Sequence, residues 1–231
     1  MLNKKYKNYK INCLILARKN SKRIKGKNLI KFKGKPLIYW TIYSAFKSNI
    51  FDKIIVSSDW QELLSFCKLK FKNLILDNRP KDISNSQTSS ETVLKYLYDK
   101  YPFDIKGYTV LLQPTSPLRK TSYIRSMIQL VIKRRLNTLH SVSELKNKTY
   151  IKKDNNFYNL PKKKKKLFLN GSIYIFSNQF FMKKNKIKEK IGNYYFHHKK
   201  YSLDLDTLHD LKKLKIKYHI SKQKKLIING K

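Results

Sequence analysis

A cluster of positive charge follows the first apolar run of this 231-residue chain. Residues 11–17 are mostly apolar, and the loop after them is closed by Lys27 and Asn28. Before that pair, the loop carries one glycine and five cations: Arg18, Lys19, Lys22, Arg23 and Lys25. Loops at the carboxyl ends of buried strands are where α/β proteins bind phosphates. The loop has neither the GxxxxGK[ST] nor the GxGxxG pattern. We therefore expect side chains, chiefly Arg18, Lys22 and Lys27, to bind phosphate; the alternative is a solvated basic loop.

Two aspartates, Asp204 and Asp206, form a second candidate site. At a spacing of two in an extended segment, their carboxylates project to the same side. That arrangement suits a hard divalent cation such as Mg²⁺, which keeps several waters and also binds phosphate. The chain has only ten Asp, so two placed together before a predicted helix are informative. The alternative is that Asp206 or Thr207 caps that helix.

Two further polar segments follow predicted strands. Residues 113–119, QPTSPLR, place Gln113 at a strand tip, where its amide can contact a ligand, and the two prolines stiffen the loop. Arg79 follows an earlier strand, and residues 88–91 precede a helix whose exposed N–H groups can bind a base or a phosphate. A plain proline-rich turn and a helix cap without a ligand are the alternatives for these two segments.

Apolar runs that alternate with helical patterns predict an α/β fold, a mostly parallel, Rossmann-like sheet with flanking helices. We predict strands at 11–17, 53–57, 73–76, 108–112, 138–142 and 171–176. We predict helices from Pro36 onward and over 60–69, 89–100, 122–135 and 209–217. Ligands in such sheets bind beyond the carboxyl ends of the strands. The polar segments expected to converge there are 18–28, 58–59, 79–90 and 113–119.

The length and composition predict one α/β domain with a core of its own. We assign residues 1–9 and 221–231 to basic tails and 10–220 to the domain. Cys13 and Cys67 fit buried, reduced thiols and hence a cytoplasmic setting. No segment approaches the roughly 18 apolar residues that span a bilayer, and the short apolar run before the cationic loop is a poor signal peptide. We therefore expect no membrane partner.

The net charge of +39 arises from 53 Lys and Arg against 14 Asp and Glu. A nucleic acid or another polyanion is the direct interpretation of such a charge. The lysines are spread through every segment, however, together with abundant Asn, Ile and Tyr, as biased base composition of the coding DNA would produce. We expect a generally basic surface without a functional nucleic-acid partner. The five histidines show no metal-ligand spacing, and no G-x-S-x-G elbow of a serine hydrolase is present.

From about residue 11 to residue 214, the chain resembles the acylneuraminate cytidylyltransferases, also called CMP-sialic acid synthetases. Seven motifs carry the resemblance in the family's order: A-R-K-N-S-K at 17–22 with K-N at 27–28, G-K-P-L at 34–37, V-S-S-D at 56–59, R-P at 79–80, L-Q-P-T-S-P-L-R at 112–119, N-G-S-I-Y-I at 170–175 and D-L-D-T at 204–207. The resemblance implies that CTP and an acidic nine-carbon 2-keto sugar give CMP-sugar and pyrophosphate, with Mg²⁺ required. The anomeric hydroxyl of the sugar would attack the α-phosphate in line.

The resemblance also implies roles for individual residues. The CTP phosphates and ribose would be held by Arg18, Ser21, Lys22, Lys27 and Asn28. The cytosine and ribose pocket would be lined by Arg79, Thr88 and Ser90. Gln113 would face the sugar, and the metal would be held by Asp204 and Asp206. The residues expected to act in the transfer itself are Arg18, Lys22, Lys27 and Gln113.

The chain departs from the family's pattern at three places. Arg23 stands where a glycine is usual, and Ser86 where an Asp is common. An Arg expected shortly before the N-G-[AS]-I-Y-I motif, to bind the sugar's carboxylate, has no clear match, and we expect one of the lysines at 162–166 to replace it. The irregular residues 144–168 match the arm through which family members pair. The resemblance therefore implies a homodimer with a small dimerisation arm.

Three other functions remain open at this point. A glycosyltransferase also uses an α/β nucleotide-sugar domain and a D-x-D metal motif, but that motif usually lies near the centre of the chain. A non-enzymatic nucleic-acid-binding protein would explain the charge, but neither the paired aspartates nor residues 113–119. The third is an inactive family member. Within the resemblance, N-acetylneuraminate is the first choice of sugar and legionaminate or another bacterial nonulosonate the second, because residues 113–116 resemble those branches more than the pseudaminate branch.

Overall fold

A computed structural model of the chain describes residues 8–21, 23–144, 150–153, 156–159, 167–189, 192–198, 201, 203–214 and 216. The strands are β1 (Ile11–Leu16), β2 (Lys31–Phe32), β3 (Lys35–Pro36), β4 (Lys53–Ser58), β5 (Ile75–Asn78), β6 (Tyr108–Leu112), β7 (Thr138–Glu144), β8 (Tyr150–Lys153), β9 (Asn156–Asn159), β10 (Leu167–Ser177) and β11 (Tyr194–Phe196). The helices are α1 (Leu37–Ser48), α2 (Gln61–Lys70), α3 (Ser90–Lys100), α4 (Thr121–Lys133) and α5 (Asn178–Lys184). A 3-10 turn covers Lys27–Leu29, and residues 208–214 are helical.

Seven strands form the main sheet, in the order β11-β7-β10-β6-β1-β4-β5. The pairs β1–β4, β1–β6, β4–β5 and β7–β11 are parallel. Strand β10 runs antiparallel to both of its neighbours, β6 and β7. The predicted fold class, a mostly parallel sheet with flanking helices, is therefore confirmed. The hairpins β2–β3 and β8–β9 are separate two-stranded sheets.

Side chains along β1 alternate between two apolar cores. Cys13 and Ile15 pack into the core formed with α1, α2 and α4. Leu14 packs on the opposite face, with residues of α3 and α5. A strand covered on both faces favours apolar residues on both, which explains the apolar run at 11–17, interrupted only by the buried Asn12.

A third, smaller apolar cluster joins the cationic loop to the C-terminal part of the domain. Its buried members are Ile24, Phe32, Leu37, Leu205 and Leu214. Leu205 lies between the two predicted metal ligands, and its N–H donates to the carbonyl of Thr115 at 2.8 Å. The cluster and this bond therefore hold three of the sequence motifs together: the cationic loop, residues 113–119 and residues 204–206.

Several predicted elements differ from the observed ones. The third strand was expected at 73–76 but lies at Ile75–Asn78, because Asn73 adopts a left-handed turn conformation with φ 62°. Pro36 precedes α1 as its N-cap residue and is not in the first helical position. The strand expected at 171–176 begins earlier, at Leu167. Helix α5 and the three-residue strand β11 were not predicted.

The remaining expectations concern the ends and the arm. Residues 1–7 and 217–231, which include most of the two predicted tails, lie outside the described residues, as do the lysines at 162–166. The hairpin β8–β9 lies between β7 and β10, within the stretch expected to form an arm. Cys13 and Cys67 are buried free thiols, as expected. None of the helices in the described ranges is long and apolar enough to cross a membrane.

Candidate functional site

A cavity of about 320 Å³ lies at the carboxyl edge of the sheet, beyond the ends of β1 and β6. Eight of the residues assigned from the sequence line it: Arg18, Ser21, Lys27, Asn28, Arg79, Thr88, Ser90 and Gln113. Lys22 lies outside the described residues. The structure therefore brings three of the polar segments to one place, while the role of each side chain stays a prediction.

The cationic loop is fixed by hydrogen bonds at both of its ends. At its start, the Lys19 N–H donates to Asp59 Oδ1 at 2.8 Å. At its close, Asn28 Nδ2 donates to the Arg18 carbonyl at 3.0 Å, and the Asn28 side chain is buried. Gly26 adopts φ 64°, and a Cβ there would be 3.3 Å from the Trp60 ring. Residues 58–59, expected at the site, therefore support the loop from behind and do not line the cavity.

The segment 79–90 forms the opposite wall of the cavity. Arg18 Nη1 donates to the carbonyl of Asn85 at 2.9 Å, which joins this wall to the cationic loop. Ser89 is the N-cap of α3, and its hydroxyl accepts the Thr92 N–H at 3.1 Å. Thr88 and Ser90 flank that cap, so both lie at a helix N-terminus, where exposed N–H groups favour anions and carbonyl groups.

Arg79 is a buried cation at the base of this wall, with only 5% of its surface exposed. Its Nη2 donates to the Ser57 carbonyl at 3.0 Å, and its N–H to the Ser58 carbonyl at 2.9 Å. Burial lowers the pKa of Arg79, and the charges of Asp59 and Asp77 oppose that shift. Arg79 Nε has no hydrogen-bond partner in the described part of the chain. The side chain thus offers a fixed, unused donor.

Behind Arg79, the buried carboxylate of Asp77 accepts several hydrogen bonds. The Ser57 hydroxyl donates to Oδ2 at 2.7 Å, and Lys100 Nζ donates to Oδ1 at 2.8 Å. The carbonyl of the same Ser57 accepts from Arg79. Asp77 therefore fixes the strand end on which Arg79 is anchored.

Arg119 is a second buried arginine, and it holds the tip of β6. Its Nη2 donates to the Gln113 carbonyl at 2.6 Å, its Nε to the Ser172 carbonyl at 3.0 Å, and its Nη1 to Thr41 Oγ1 at 3.3 Å. Burial lowers the pKa of Arg119 to about 10, and the charge of Asp204 opposes that shift. One guanidinium thus ties β6, β10 and α1 together beneath the predicted sugar-facing residue.

Gly171 lies where the Gln113 amide and the Asp204 carboxylate meet. Its φ is +70°, and a Cβ there would be 2.9 Å from Gln113 Oε1 and 3.6 Å from Asp204 Oδ2. The neighbouring Asn170 is buried, and its Oδ1 accepts the Ser141 hydroxyl at 2.6 Å. The N-G-S-I-Y-I motif therefore supplies a backbone that leaves room for two candidate functional groups.

The two predicted metal ligands are held differently. Burial raises the pKa of Asp204. The Thr115 side chain opposes that shift, and the charge of Asp206 adds to it. Asp204 Oδ1 is buried without a hydrogen-bond partner in the described part of the chain. Asp206 is more exposed and forms two ion pairs, with Arg23 at 2.6 Å and with Lys27 at 3.1 Å.

The helix that follows is capped by Thr207 and not by Asp206. Thr207 Oγ1 accepts the Asp210 N–H at 3.2 Å, and Asp210 Oδ2 accepts the Thr207 N–H at 2.8 Å, as in a capping box. Asp206 contributes only its backbone N–H to this cap. Its carboxylate takes no part in the cap and is bound instead by Arg23 and Lys27.

The donor set fits a hard divalent cation. Asp204 supplies a buried oxygen that has no other partner, and Asp206 supplies a second carboxylate. Among the described residues, no group of three or more His, Cys, Asp or Glu is placed to hold a metal. Two carboxylates, with water and phosphate completing the shell, match the preference of Mg²⁺.

Several polar residues that line the cavity had no role predicted from the sequence: Asn85, Ser86, Ser89 and Thr115. Each is adjacent to an assigned residue or lies in an assigned motif. Their positions in the chain could therefore have indicated that they line the same cavity. The larger omission is Arg119, which stands in the QPTSPLR segment but received no role of its own. Its inward orientation has no signature in the sequence.

Comparison with known proteins gives matches over most of the chain. A family model described as "Cytidylyltransferase" matches residues 12–231. The pseudaminic acid cytidylyltransferase of Campylobacter jejuni is 26% identical over 224 residues, which cover 90% of this chain and 96% of that protein. The N-acylneuraminate cytidylyltransferase of Streptococcus agalactiae is 29% identical over 214 residues, which cover 86% of this chain and 51% of that protein.

A solved structure, CMP:2-keto-3-deoxy-manno-octonic acid synthetase complexed with CTP, has the same fold. The TM-score is 0.68 at 15% sequence identity, and the match covers 93% of this chain and 99% of that chain. The shared fold therefore covers nearly the whole chain and not only the order of the strands in the sheet.

Proposed function

Since this chain belongs to the cytidylyltransferase family, we propose that it transfers CMP from CTP to the anomeric hydroxyl of an acidic nine-carbon 2-keto sugar. The observation that carries the proposal is the meeting of eight sequence-assigned polar side chains around one cavity at the carboxyl edge of the sheet. The hydroxyl oxygen bonds to the α-phosphorus, the bond from that phosphorus to the bridging oxygen breaks, and pyrophosphate and the hydroxyl proton leave. Positioning and charge stabilisation dominate such transfers.

The triphosphate binds at the cationic loop. Arg18 offers a fork of N–H donors and Lys27 a point charge, and the two suit adjacent phosphate groups. Ser21 and Asn28 contact phosphate or ribose from the same loop. Lys22 belongs to this group by its place in the motif.

The cytosine and ribose bind at the opposite wall. Arg79 supports this assignment because it is buried, anchored on the Ser57 carbonyl and left with an unpartnered Nε. Thr88 and Ser90 add hydroxyl groups at the N-terminus of α3. A donor held rigidly before binding loses little entropy when the base arrives.

The sugar binds next to Gln113. Two relatives are named for two different nonulosonic acids, pseudaminic acid and N-acylneuraminate, which supports that class of substrate. We propose N-acetylneuraminate as the first sugar to test, followed by legionaminate and other bacterial nonulosonates. One of the lysines at 162–166 binds the sugar's carboxylate.

Asp204 and Asp206 hold Mg²⁺. The support is the buried, unpartnered Asp204 Oδ1 beside a second carboxylate. When bound, the cation neutralises charge on the departing pyrophosphate. Around it, the chain supplies Lys27, whose Nζ lies 3.1 Å from Asp206 Oδ1 and whose side chain is 13% exposed, so that a cation stands close to the metal position.

The proposal also includes the cellular location of the enzyme and its oligomeric state. The enzyme works in the cytoplasm, which its two buried free thiols support. It forms a homodimer through the arm that contains β8 and β9. The family match favours this activity over a D-x-D glycosyltransferase and over a non-enzymatic nucleic-acid-binding protein.

The test is pyrophosphate release from CTP and Mg²⁺ in the presence of N-acetylneuraminate, legionaminate, pseudaminate or 3-deoxy-manno-octulosonate. We expect release that requires one of these sugars, prefers CTP to UTP and is lost in Asp206→Ala. Failure to bind CTP would rule out the activity. A folded protein that binds CTP but releases no pyrophosphate with any of the sugars would indicate an inactive family member or a different sugar.

A further inference from the structure

Both carboxylate oxygens of Asp206 are occupied by cations of the loop. Arg23 Nη1 lies 2.6 Å from Oδ2, and Lys27 Nζ lies 3.1 Å from Oδ1. With the nearby carboxylate of Asp204, two positive and two negative charges leave no net charge to attract a divalent cation. Asp206 therefore has to lose one of these partners before it ligates a metal ion.

Arg23 is the partner that can leave. The Lys27 side chain is only 13% exposed and lies within the wall of the cavity. The Arg23 side chain is 62% exposed, and ion pairs at that level of exposure contribute about 1 kcal/mol or less. The next residue, Ile24, is buried in the apolar cluster with Leu205. The backbone at Arg23 is thus anchored beside Asp206, while its long side chain is free to turn.

We propose that Arg23 is an exchange residue that couples nucleotide binding to metal binding. In the free protein its guanidinium pairs with Asp206 and disfavours a cation there. When the triphosphate arrives, Arg23 turns to the phosphate oxygens, and Oδ2 of Asp206 becomes available to the divalent cation. The inference rests on the proposed function, since it takes the triphosphate and the metal site from it.

The exchange predicts opposite effects of Arg23→Ala on the two ligands. Without nucleotide, loss of a positive charge near Asp206 strengthens divalent-cation binding about threefold to tenfold, the size expected for one unit charge a few ångströms from a divalent ion in a wet, salt-screened site. Without metal, CTP loses one phosphate partner and binds about threefold to tenfold more weakly. A charge that acts only at long range would change both affinities slightly, and less the farther it lies from the ligand.

Lys25→Ala is the matched control. It removes the same charge from the same loop, two residues away, and Lys25 is exposed. In the described part of the chain, the ion-pair partners of Asp206 are Arg23 and Lys27. Arg23→Lys keeps the charge and shortens the reach, so we expect it to lie between the wild type and Arg23→Ala.

The experiment measures each ligand alone at physiological ionic strength. Mn²⁺ binding to the nucleotide-free protein is followed by loss of the free-ion EPR signal, and CTP binding is measured in EDTA by equilibrium dialysis. We expect tighter Mn²⁺ and weaker CTP in Arg23→Ala, less than about a twofold change of either in Lys25→Ala, and loss of Mn²⁺ binding in Asp206→Ala.

Two results would overturn the exchange, and they differ in what else they affect. If Asp206→Ala abolishes Mn²⁺ binding but Arg23→Ala matches Lys25→Ala, the metal site stands and Arg23 is only a surface ion pair. If Asp206→Ala binds Mn²⁺ as the wild type does, the metal assignment of the proposed function fails together with the exchange.

Discussion

Arg79 and Arg23 are both arginines of the candidate site, and the chain holds them in opposite ways. Arg79 is 5% exposed and anchored on the carbonyl of Ser57, with the buried Asp77 behind it. The Arg23 side chain is 62% exposed and pairs with a carboxylate that is itself 44% exposed. Buried hydrogen-bonded charges are costly to disturb, whereas exposed ion pairs exchange easily. We therefore expect the wall that carries Arg79 to be formed before a ligand binds, whereas the proposed exchange places a change of partners at Arg23 in the cationic loop.

The buried cations should give the largest effect on stability, and Arg119 is the sharpest case. Arg119→Met removes three donors and leaves the carbonyls of Gln113 and Ser172 without them. We expect a loss of at least about 3 kcal/mol in the free energy of unfolding, since each lost hydrogen bond to a buried charged group contributes about 1.5–3 kcal/mol and the apolar Met side chain offsets part of the sum. Urea titration measures it.

Arg125→Met is the control for that variant. The guanidinium of Arg125, which lies in α4, also donates to two carbonyls, those of Lys47 and Ser48 at the end of α1. These hydrogen bonds are more exposed than those of Arg119. We expect a loss of less than about 1 kcal/mol there. Equal losses in the two variants would show that the burial of Arg119 does not determine how much it contributes to the free energy of unfolding.

The same contrast between an exposed and a buried charge can be tested with two aspartates, Asp206 and Asp77. Asp206→Asn should lower kcat/KM about 100-fold or more while the free energy of unfolding changes by less than about 1 kcal/mol, because the Asp206 side chain is 44% exposed and its partner Arg23 lies at the surface. Asp77→Asn should lower the free energy of unfolding by about 2 kcal/mol, because the Asp77 side chain is fully buried and accepts from Ser57 and Lys100. Urea titrations and steady-state kinetics on both variants give the result, and a larger stability loss in Asp206→Asn would contradict it.

Buried His197 predicts a pH dependence of stability. Its ring stacks on Tyr123 at 4.1 Å, and neither ring nitrogen has a partner in the described part of the chain. Burial, with the nearby charge of Arg119, lowers the pKa of His197 from 6.5 to about 4. Between these two values the unfolded chain binds a proton that the folded chain does not, so stability falls as the pH falls through that window.

His197→Phe should remove this contribution. From about pH 7.5 to about pH 5, we expect the variant to lose about 2 kcal/mol less stability than the wild type. Urea titrations at the two pH values measure the difference. His209→Gln, at an exposed position, is the control and should behave like the wild type. His140 is also buried, and its pKa is lowered to about 4. It therefore lowers the stability at acid pH equally in the wild type and in both variants.

Much of the site was predictable because the sheet is mostly parallel. Polar segments that follow parallel strands meet at one edge, so segments far apart in sequence could be placed together without knowledge of their contacts. The strands themselves were visible as apolar runs because both faces of β1 are covered. The direction of β10 was not visible, since an apolar run has the same pattern in either direction.

Contacts between distant residues account for what could not be predicted. Arg23 and Asp206 are 183 positions apart by number, and nothing in either local sequence indicates that they pair. Arg119 stands at the end of a recognisable motif, yet most arginines are exposed, so its burial is a result of packing. The motif around Gly171 was recognised in the sequence. The sequence does not indicate why a glycine is needed there, which is the left-handed backbone conformation next to Gln113.

Gly171 gives the smallest and most local prediction. Gly171→Ala places a Cβ 2.9 Å from Gln113 Oε1 at a φ of +70°, so the Gln113 amide has to shift. We expect about 1 kcal/mol of lost stability from the backbone and about a tenfold rise in KM for the sugar. CTP affinity should stay unchanged, because Gln113 is the residue that we propose to face the sugar. Gly34→Ala carries the same backbone strain at φ +71° with nothing within 4 Å of the added Cβ, so it should lose similar stability and keep its KM. Urea titration and KM for each substrate separate the two effects. An equal rise in KM in both variants would mean that strain, and not the contact with Gln113, is responsible.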